Sequence, residues 1–350
     1  MGGFNIRDTL TEQAKFMNEV REERYKYRNN ILDLTQPIYE PRFLFSIRGV
    51  STIPLGELIG IKGRAKMGKS QFLYLLIAIM LARISKCEIK PLLTEYKILL
   101  FDTEQSQASL KKCCQRALKY AGLPIDKNDV RFIPFFMRPL SIDERKNVIE
   151  DAVREERPDI IFIDGIRDLL QDFNSLEQSG NLIQWLLHLT AEYGCTIVTV
   201  LHQNKSKEDG NMRGHLGTEL LNKLTDCFEV SKKDGKFIVS CTDSRNIQCP
   251  DIAFSIDANG EFKEEQTVNE EKNDSQARAI QKALNLCFKI EDALTYTSLV
   301  RTYTLEAAVS EATAKRHIKI AKENNYLAVS GDLYKLTSNS SNKVVSSITP

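Results

Sequence analysis

One segment of the chain has the residue types and spacing of a phosphate-binding loop. GRAKMGKS, from Gly63 to Ser70, fits the pattern G-x-x-x-x-G-K-[ST]. In such a loop, backbone N–H groups surround the phosphates, and the start of the next helix adds partial positive charge. We expect Lys69 to reach the β- and γ-phosphates and the Ser70 hydroxyl to ligate Mg²⁺. The predicted nucleotide-binding residues are Gly63, Arg64, Ala65, Lys66, Met67, Gly68, Lys69, Ser70 and Gln71.

Carboxylates at the ends of two apolar segments supply the second half of the predicted site. DIIFIDG contains Asp164, and a carboxylate at the end of such a strand faces the hydration shell of the metal ion. Hydrolysis also needs a group that orients the attacking water, and the residue after Asp164 is Gly165. The candidate is Glu104 in FDTEQ; Asp102 is its competitor, although strand alternation points it elsewhere. The sequence therefore predicts Ser70 and Asp164 as metal ligands and Glu104 as the residue that polarises water.

A parallel sheet is needed to bring these residues together, and the chain has the matching pattern. From about Phe43 onward, continuous Ile/Val/Leu runs alternate with helix-patterned segments, which is typical of a parallel sheet covered on both faces. The fold class is therefore α/β. The predicted strands are Gly56–Gly63, Tyr96–Glu104, Val130–Phe136, Asp159–Gly165 and Cys195–Gln203, with further candidates at Cys227–Val230, Lys236–Thr242 and Ile252–Ile256.

Composition limits the classes of function. The 350 residues include 48 Lys+Arg and 47 Asp+Glu, a net charge of +1, so a surface for nucleic acid must be local. At roughly 100–200 residues per domain, two or three domains are expected. The apolar run Phe72 to Ile84 is shorter than the about 20 residues of a membrane span, so we expect a buried helix and no membrane. The 8 Cys residues form no CxxC pair, which is typical of reduced core residues in a cytoplasmic protein.

The order of these motifs resembles the RecA-like ATPase superfamily. That family has a nucleotide loop after its first strand, a Glu closing the next strand, and an Asp after a plain apolar strand. The chain is most similar to plasmid RepA-type hexameric helicases and to the AAA_25 ATPases of mobile elements, over about Phe43 to Phe262. The resemblance implies a RecA-like P-loop NTPase fold, ATP and Mg²⁺ as cofactors, and self-association into a ring, with a hexamer expected. Lys66 and Met67 depart from it, because smaller residues are common there.

The segments LHQNK and RGHLGTELLNKLTD extend the resemblance beyond the nucleotide loop. By that likeness, His202 or Gln203 senses the γ-phosphate and links hydrolysis to movement of the following loop. Loops at this position in the family face a central channel and contact single-stranded DNA. The implied DNA contacts are Lys205, Lys207 and Arg213. A solvated hairpin is the alternative for each of them.

The segment Phe237 to Phe262 resembles the closing strands of hexameric RecA-like motors. In those motors, an Arg after a strand enters the nucleotide site of the neighbouring subunit, and Arg245 holds that position here. A guanidinium suits the role because it stays charged and neutralises transition-state oxygens with two donors. Asp243 stands where related motors often carry a Lys. A plain surface arginine is the alternative for Arg245.

A small apolar-periodic module follows the predicted ATPase domain. Arg278–Glu291 and Tyr296–Tyr303 are helix candidates, Ser310 is a good N-cap for a third helix through Asn325, and Leu327–Leu336 has the pattern of two short strands. Three helices and a hairpin resemble a winged helix-turn-helix domain. Its predicted DNA-binding residues lie on the third helix: Lys315, Arg316, Lys319 and Lys322. A winged helix that docks on a protein is the alternative.

The chain is thus predicted to have five parts: an N-terminal helical segment (1–42), a RecA-like ATPase domain (43–262), an acidic linker (263–275), a winged helix-turn-helix domain (276–336) and a disordered tail (337–350). Thr9–Arg28 is interpreted as a solvated helix, with an arm on a neighbouring subunit as the alternative.

The leading hypothesis for function is an oligomeric, ATP-hydrolysing motor on DNA, and most specifically a RepA-like replicative helicase of a plasmid or mobile element. An ATP-switched DNA-binding adaptor that does not unwind DNA is the alternative, and a filament-forming recombinase is a third possibility.

Overall fold

The structure is a computed structural model that describes residues 30–37, 41–203, 212 and 214–337, and the side chains of 268–274 lie outside this description. The chain divides into two units, 1–42 and 43–350. In the first unit, the described residues form a turn in which Asp33 accepts hydrogen bonds from the backbone N–H and the hydroxyl of Thr35. The predicted helix Thr9–Arg28 lies outside the described residues.

The elements of the second unit follow the predicted alternation of strands and helices. In chain order the strands are β1 (Phe43–Ile47), β2 (Val50–Pro54), β3 (Leu58–Gly63), β4 (Ile89–Pro91), β5 (Ile98–Asp102), β6 (Phe132–Phe136), β7 (Ile160–Asp164), β8 (Thr196–His202), β9 (Asp226–Lys233), β10 (Lys236–Ser244), β11 (Ile252–Ile256), β12 (Phe262–Glu265), β13 (Leu294–Thr295), β14 (Leu327–Ser330) and β15 (Leu333–Leu336). The α-helices are α1 (Lys69–Ala82), α2 (Gln107–Tyr120), α3 (Ile142–Glu156), α4 (Leu176–Tyr193), α5 (Gly214–Lys223), α6 (Val268–Cys287), α7 (Tyr296–Glu306) and α8 (Glu311–Glu323).

A nine-stranded sheet organises the unit, in the order β12-β11-β10-β9-β3-β8-β7-β5-β6. The strands from β9 to β6 in this order pair in parallel, and β10, β11 and β12 extend the sheet with antiparallel pairs. This confirms the predicted α/β fold with a mostly parallel sheet. In the pairing register, Gly63 lies beside His202 and Asp102 beside Asp164, so the carboxyl ends of four strands meet at one edge.

Both faces of the sheet are covered, as continuous apolar strands require. One core cluster joins one face to α1 and α2, and the other joins the opposite face to α3, α4 and α5. Neighbouring strand residues divide between them, since Ile98 and Leu100 belong to the first cluster and Leu99 and Phe101 to the second. The sheet therefore lies between two helical layers and holds the strand ends in fixed positions.

Helix α1 is buried along nearly its whole length, from Phe72 to Leu81. A helix that is apolar on all sides belongs between two layers. The large sheet covers one side of α1, and residues of a small antiparallel sheet, β2-β1-β4, belong to the same core cluster. The apolar run is therefore a buried helix, as predicted, and no helix in the described part of the chain is long and apolar enough to cross a bilayer.

Residues 263–275, which were predicted to be an acidic linker, contain regular secondary structure. Phe262–Glu265 forms β12, the outer strand beside β11, and α6 begins at Val268. The Asp257 carboxylate accepts hydrogen bonds from the N–H groups of Asn259 and Glu261, and this turn reverses the chain. Phe262 is buried, and the two charged residues that follow it are exposed. Such charges are common on an edge strand, and they explain why this segment has a composition typical of a linker.

Helices α7 and α8 and the hairpin agree with the sequence pattern within a few residues, whereas α6 begins at Val268, ten residues before the predicted start at Arg278. Helices α6, α7 and α8 share a core cluster of their own, and Ser310 caps α8 by accepting a hydrogen bond from the N–H of Thr313. Strands β14 and β15 form the predicted hairpin, and the short strand β13 adds to it in the order β13-β15-β14. Most of the predicted tail, 338–350, lies outside the described residues. The predicted domain boundaries stay predictions.

Candidate nucleotide site

The phosphate-binding loop joins β3 to α1 at the sheet edge where the strand ends meet. Gly68 is the N-cap of α1 and has a φ of 97°. A Cβ at Gly68 would collide with the ring of Phe237, and a Cβ at Gly63 would collide with the carbonyl oxygen of Val230. Both glycines of the motif are therefore required by close approach of β9 and β10. Lys66 has a φ of 64°, a left-handed conformation that a glycine would adopt more easily.

Lys69 is buried and held inside this loop. Its Nζ donates a hydrogen bond to the carbonyl oxygen of Arg64 at 2.9 Å and lies 2.9 Å from Nδ1 of His202. Burial lowers the pKa of Lys69, and the negative charges of Asp164 and Glu104 oppose that shift. The ammonium group of Lys69 thus lies near the carboxylates of Asp164 and Glu104 at the opening of the loop. A bound phosphate there would accept its further hydrogen bonds.

Asp164 ends β7 and lies in the floor of the site. The side chain is buried, and burial raises its pKa to about 7, with the nearby carboxylates of Asp102 and Glu104 acting in the same direction. A hydrogen bond from Ser70 and the charge of Lys69 act against this rise. The two predicted metal ligands, Ser70 and Asp164, are therefore in direct contact.

The Glu104 side chain lies against Gly165, the residue that follows Asp164. A Cβ at Gly165, which has a φ of 120°, would collide with the carboxylate of Glu104. Nε2 of His202 lies 3.7 Å from Oε1 of Glu104. This contact lowers the pKa of Glu104, and the charge of Lys69 adds to the effect. Glu104 is 45% exposed and ionised at neutral pH, so it can accept a hydrogen bond from water in the cavity.

The competitor, Asp102, has a different position. It is fully buried, and its carboxylate accepts hydrogen bonds from the N–H groups of Glu104 and Gln105 and from the amide of Gln105. Thr103 fixes the same turn by donating from its hydroxyl to the carbonyl oxygens of Asp164 and Gly165. Asp102 thus holds the backbone that carries Glu104 and does not face the cavity.

Of the two residues that the resemblance offered as phosphate sensors, the structure brings His202 to the site. Because Lys69 donates to Nδ1, a neutral ring carries its proton on Nε2, toward Glu104. Gln203 is buried behind the loop, where its N–H donates to the carbonyl oxygen of Gly63 and its backbone bridges to Met212. The sensing role of either residue stays a prediction.

A cavity of about 350 Å³ joins these groups. The motif analysis named most of its lining but missed residues from neighbouring strands. The lining residues are Ala65, Lys66, Gly68, Lys69, Ser70, Gln71, Glu104, Asp164, Val200, His202, Lys232 and Phe237. Phe237 lies on a predicted strand, and Lys232 lies two residues beyond the predicted end of its strand at Val230. Their contact with the loop depends on sheet order, which no local pattern shows.

Comparison with known protein families gives the same assignment. The family model AAA_25, described as an AAA domain, matches residues 33–208 of the 350. The chain belongs to the AAA_25 family. The matched residues contain the phosphate-binding loop, Glu104, Asp164 and His202, so the domain is a nucleotide-hydrolysing P-loop domain of the AAA type. Lys232, Arg245 and the C-terminal module lie beyond the match. No curated protein matches the chain.

The AAA_25 domain offers ligands that fit a magnesium ion. The Ser70 hydroxyl and the Asp164 carboxylate are oxygen donors in contact, and Mg²⁺ is commonly held by one or two protein oxygens together with phosphates and water. Among the described residues there is no cluster of three His, Cys, Asp or Glu side chains that could form an all-protein cage. A divalent cation would also keep the buried Asp164 carboxylate ionised.

Titration of Asp164 predicts a pH dependence of stability. Its pKa is about 3.9 in an unfolded chain and about 7 in the nucleotide-free AAA_25 domain. The folded state therefore binds the extra proton between these values, and the stability that this group contributes is present below about pH 4 and lost as the pH rises through about 7. We expect Asp164→Asn, which cannot ionise, to raise the Tm more at about pH 8 than at about pH 5. Thermal unfolding followed by circular dichroism tests this, and an equal change at both pH values would contradict it.

Arg245 lies away from the nucleotide site of its own AAA_25 domain. It follows β10, and its N–H donates a hydrogen bond to the carbonyl oxygen of Thr225. The N–H of Thr225 in turn donates to the carbonyl oxygen of Leu58, the first residue of β3. Arg245 therefore lies at the end of the sheet where β3 begins, opposite the phosphate-binding loop. The guanidinium is exposed and contacts the carbonyl oxygen of Asn222 at 3.4 Å. Arg245 therefore cannot act on a nucleotide bound to the same subunit.

The predicted DNA contacts fall into two groups. Lys205, Lys207 and Arg213 lie outside the described residues. On α8, Lys315, Arg316, Lys319 and Lys322 are all exposed. Lys315 forms an ion pair with Glu311 at 2.7 Å and Lys319 with Glu323 at 3.9 Å. Arg316 and Lys322 have no carboxylate within ion-pair distance among the described residues, so they are the α8 cations most available to phosphates.

Proposed function

We propose that this protein is an oligomeric ATPase that moves on DNA, most specifically a RepA-like replicative helicase of a plasmid or mobile element. The convergence of Lys69, Ser70, Asp164 and Glu104 in one cavity carries the proposal, because these groups bind Mg·ATP and orient water for in-line attack on the γ-phosphate. The resemblance to plasmid RepA-type helicases adds the substrate, DNA, and a ring of subunits, expected to be a hexamer.

The arrangement of the site supports coupling between hydrolysis and movement. His202 contacts both Lys69 and Glu104, and it is followed after Gln203 by the segment that carries Lys205, Lys207 and Arg213. A change in phosphate occupancy would alter the partners of His202 and hence the start of that segment. The eight free cysteines fit a reducing compartment, and we propose that the protein works in the cytoplasm.

Strand displacement on a forked DNA is the direct test of this function. The expected result is ATP-dependent release of the labelled strand, with an ATPase rate that single-stranded DNA stimulates. Glu104→Gln serves as the control, since it keeps the fold of the site and should release no strand. DNA binding that depends on ATP, without displacement and with an ATPase rate indifferent to single strands, would instead identify an ATP-switched adaptor.

Arg245 gives a prediction about assembly. If it completes the site of a neighbouring subunit, Arg245→Ala lowers the ATPase rate while nucleotide affinity is retained. Mixing Arg245→Ala with Lys69→Ala subunits should restore part of the rate, because some interfaces then combine an intact loop with an intact arginine. ATPase activity measured across a series of mixing ratios checks this. A rate that never rises above that of the separate variants would contradict a shared site.

The C-terminal module is proposed to be a winged helix-turn-helix domain that binds duplex DNA through α8. Arg316→Glu with Lys322→Glu is expected to weaken binding roughly a hundredfold at low salt and to reduce its salt dependence by about two phosphate contacts. Lys282→Glu with Lys289→Glu is a control of equal charge change on exposed residues of the same module. Fluorescence anisotropy against salt concentration measures both. Equal loss in the two double variants would favour a nonspecific charge effect over α8 contacts.

A further inference from the structure

Strand β9 carries a row of side chains toward the phosphate-binding loop. Phe228, Val230 and Lys232 alternate along the strand and so share one face. Phe228 and Val230 belong to the core cluster of α1, and the ring of Phe228 lies 5.6 Å from that of Phe72. The carbonyl of Val230 lies against Gly63. Lys232 is therefore the next residue on the face of the sheet that the loop covers.

Phe237 fixes the position of this lysine. It pairs with Lys232 across the β9–β10 hairpin, and its buried ring lies against Gly68. Nζ of Lys232 lies 5.0 Å from the centroid of that ring, on a side chain that lines the same cavity as Lys69. The Phe237 ring therefore lies between Gly68 and the Lys232 ammonium group. This contact holds the charge of Lys232 beside the start of α1.

The charge of Lys232 is not neutralised by a neighbouring acid. Across the described residues, no carboxylate lies within ion-pair distance of its Nζ, and the ring of Phe237 is its neighbour. Lys236 in the same hairpin differs, since its Nζ lies 3.2 Å from the Glu265 carboxylate. A cation that lines a cavity without an acidic partner is suited to bind an anionic group there.

We propose that Lys232 is a second cationic ligand for the phosphates of the bound nucleotide, supplied by the same subunit and lying outside the motif. The inference rests on the proposed nucleotide site and adds a further phosphate-binding residue to it. Its ligands are nucleoside di- and triphosphates, to which it donates a charge-assisted hydrogen bond.

The position of β9 defines the step on which Lys232 acts. β9 lies on one side of β3, whereas β8, β7 and β5, which carry His202, Asp164 and Glu104, lie on the other. At about 4.8 Å between neighbouring strands, β9 and β5 are roughly 19 Å apart. Lys232 therefore contacts the phosphates from the flank away from the attacking water. It should contribute to binding of ADP and ATP alike more than to the chemical step.

The experiment compares Lys232→Ala, Lys232→Arg and Lys233→Ala in the full-length protein. Lys233 is the matched control, because it is the next residue of β9, points to the other face and does not line the cavity. Titration with fluorescent ADP and steady-state ATPase assays measure Kd, KM and kcat. We expect Lys232→Ala to raise the Kd for ADP and the KM for ATP about tenfold, with a much smaller fall in kcat. Lys232→Arg should recover most of the affinity.

The outcomes separate this inference from the function on which it rests. If the wild-type protein binds neither ADP nor ATP, the proposed nucleotide site itself is wrong. If the wild type binds nucleotide and Lys232→Ala behaves as Lys233→Ala does, the inference about Lys232 is wrong. A fall confined to kcat with unchanged Kd for ADP would also overturn it, since the cation would then act on the transition state. Equal Tm values for the three variants exclude a folding defect of the hairpin.

Discussion

Replacing Lys69 with alanine is expected to abolish nucleotide binding. The side chain is 5% exposed, and its Nζ is positioned by the Arg64 carbonyl and the His202 ring at the point where the loop and the two carboxylates meet. Loss of a buried ammonium that contacts two phosphates should weaken ATP affinity roughly a hundredfold or more. Isothermal titration calorimetry with Mg·ATP measures this change.

The control for Lys69→Ala is Lys69→Met, which preserves most of the side-chain volume and removes the charge. Both variants should lose affinity to the same extent, because the charge and its hydrogen bonds carry the effect. If only alanine lost affinity, collapse of the loop around the missing side chain would explain the result. Unchanged ATP affinity in both variants would refute the assignment of the phosphate-binding loop.

Replacing Glu104 with glutamine is expected to separate binding from turnover. The amide keeps the shape of the side chain beside Gly165 but cannot serve as a base for the attacking water. We expect a roughly thousandfold lower kcat with a Kd for ATP within a few-fold of the wild type. Single-turnover ATP hydrolysis and calorimetry on the same preparation provide the two measurements.

Asp102→Asn is the informative comparison for Glu104→Gln. Asp102 is buried and accepts hydrogen bonds from the turn that carries Glu104, so its loss should lower the Tm and displace Glu104 indirectly. We expect its kcat to fall less than that of Glu104→Gln and its stability to fall more. A loss of turnover in Asp102→Asn that exceeds the loss in Glu104→Gln, at unchanged Tm, would make Asp102 the better candidate for the base.

Local sequence patterns predicted the parallel half of the sheet and the position of its carboxylates. The apolar runs that contain β3, β5 and β7 end at Gly or Glu, and the run that contains β8 ends at the polar pair His202 and Gln203, so the ends could be placed within a few residues. Because parallel strands align their carboxyl ends, the proximity of Lys69, Glu104 and Asp164 followed from these boundaries. The N-cap of α8 could also be predicted from local sequence, because the hydrogen-bond partner of Ser310 is a backbone N–H in the first turn of the same helix.

Features that depend on contacts between distant segments could not be predicted in this way. The buried Asp226 accepts hydrogen bonds from Thr52, the N–H of Ile53 and Ser244, and so joins β9 to β2 and β10. Nothing near LTDCF in the sequence indicates these partners. Lys232 and Phe237 are similar, because the order of strands decides which lysine and which ring reach the loop. The edge strand β12 was missed because three of its four residues are charged and it has no apolar alternation.

The lack of a side chain at Gly165 has a consequence for which substitutions this chain can accept at the site. A carboxylate at 104 occupies the volume that any larger residue at 165 would need. The two positions are therefore coupled in this chain: a side chain at 165 would have to adopt a φ of 120° and would displace the Glu104 carboxylate. Glu104→Gly would remove the collision and leave Asp164 as the one carboxylate among the residues that line the cavity, whereas Gly165→Ala would be expected to push the Glu104 carboxylate out of its present place.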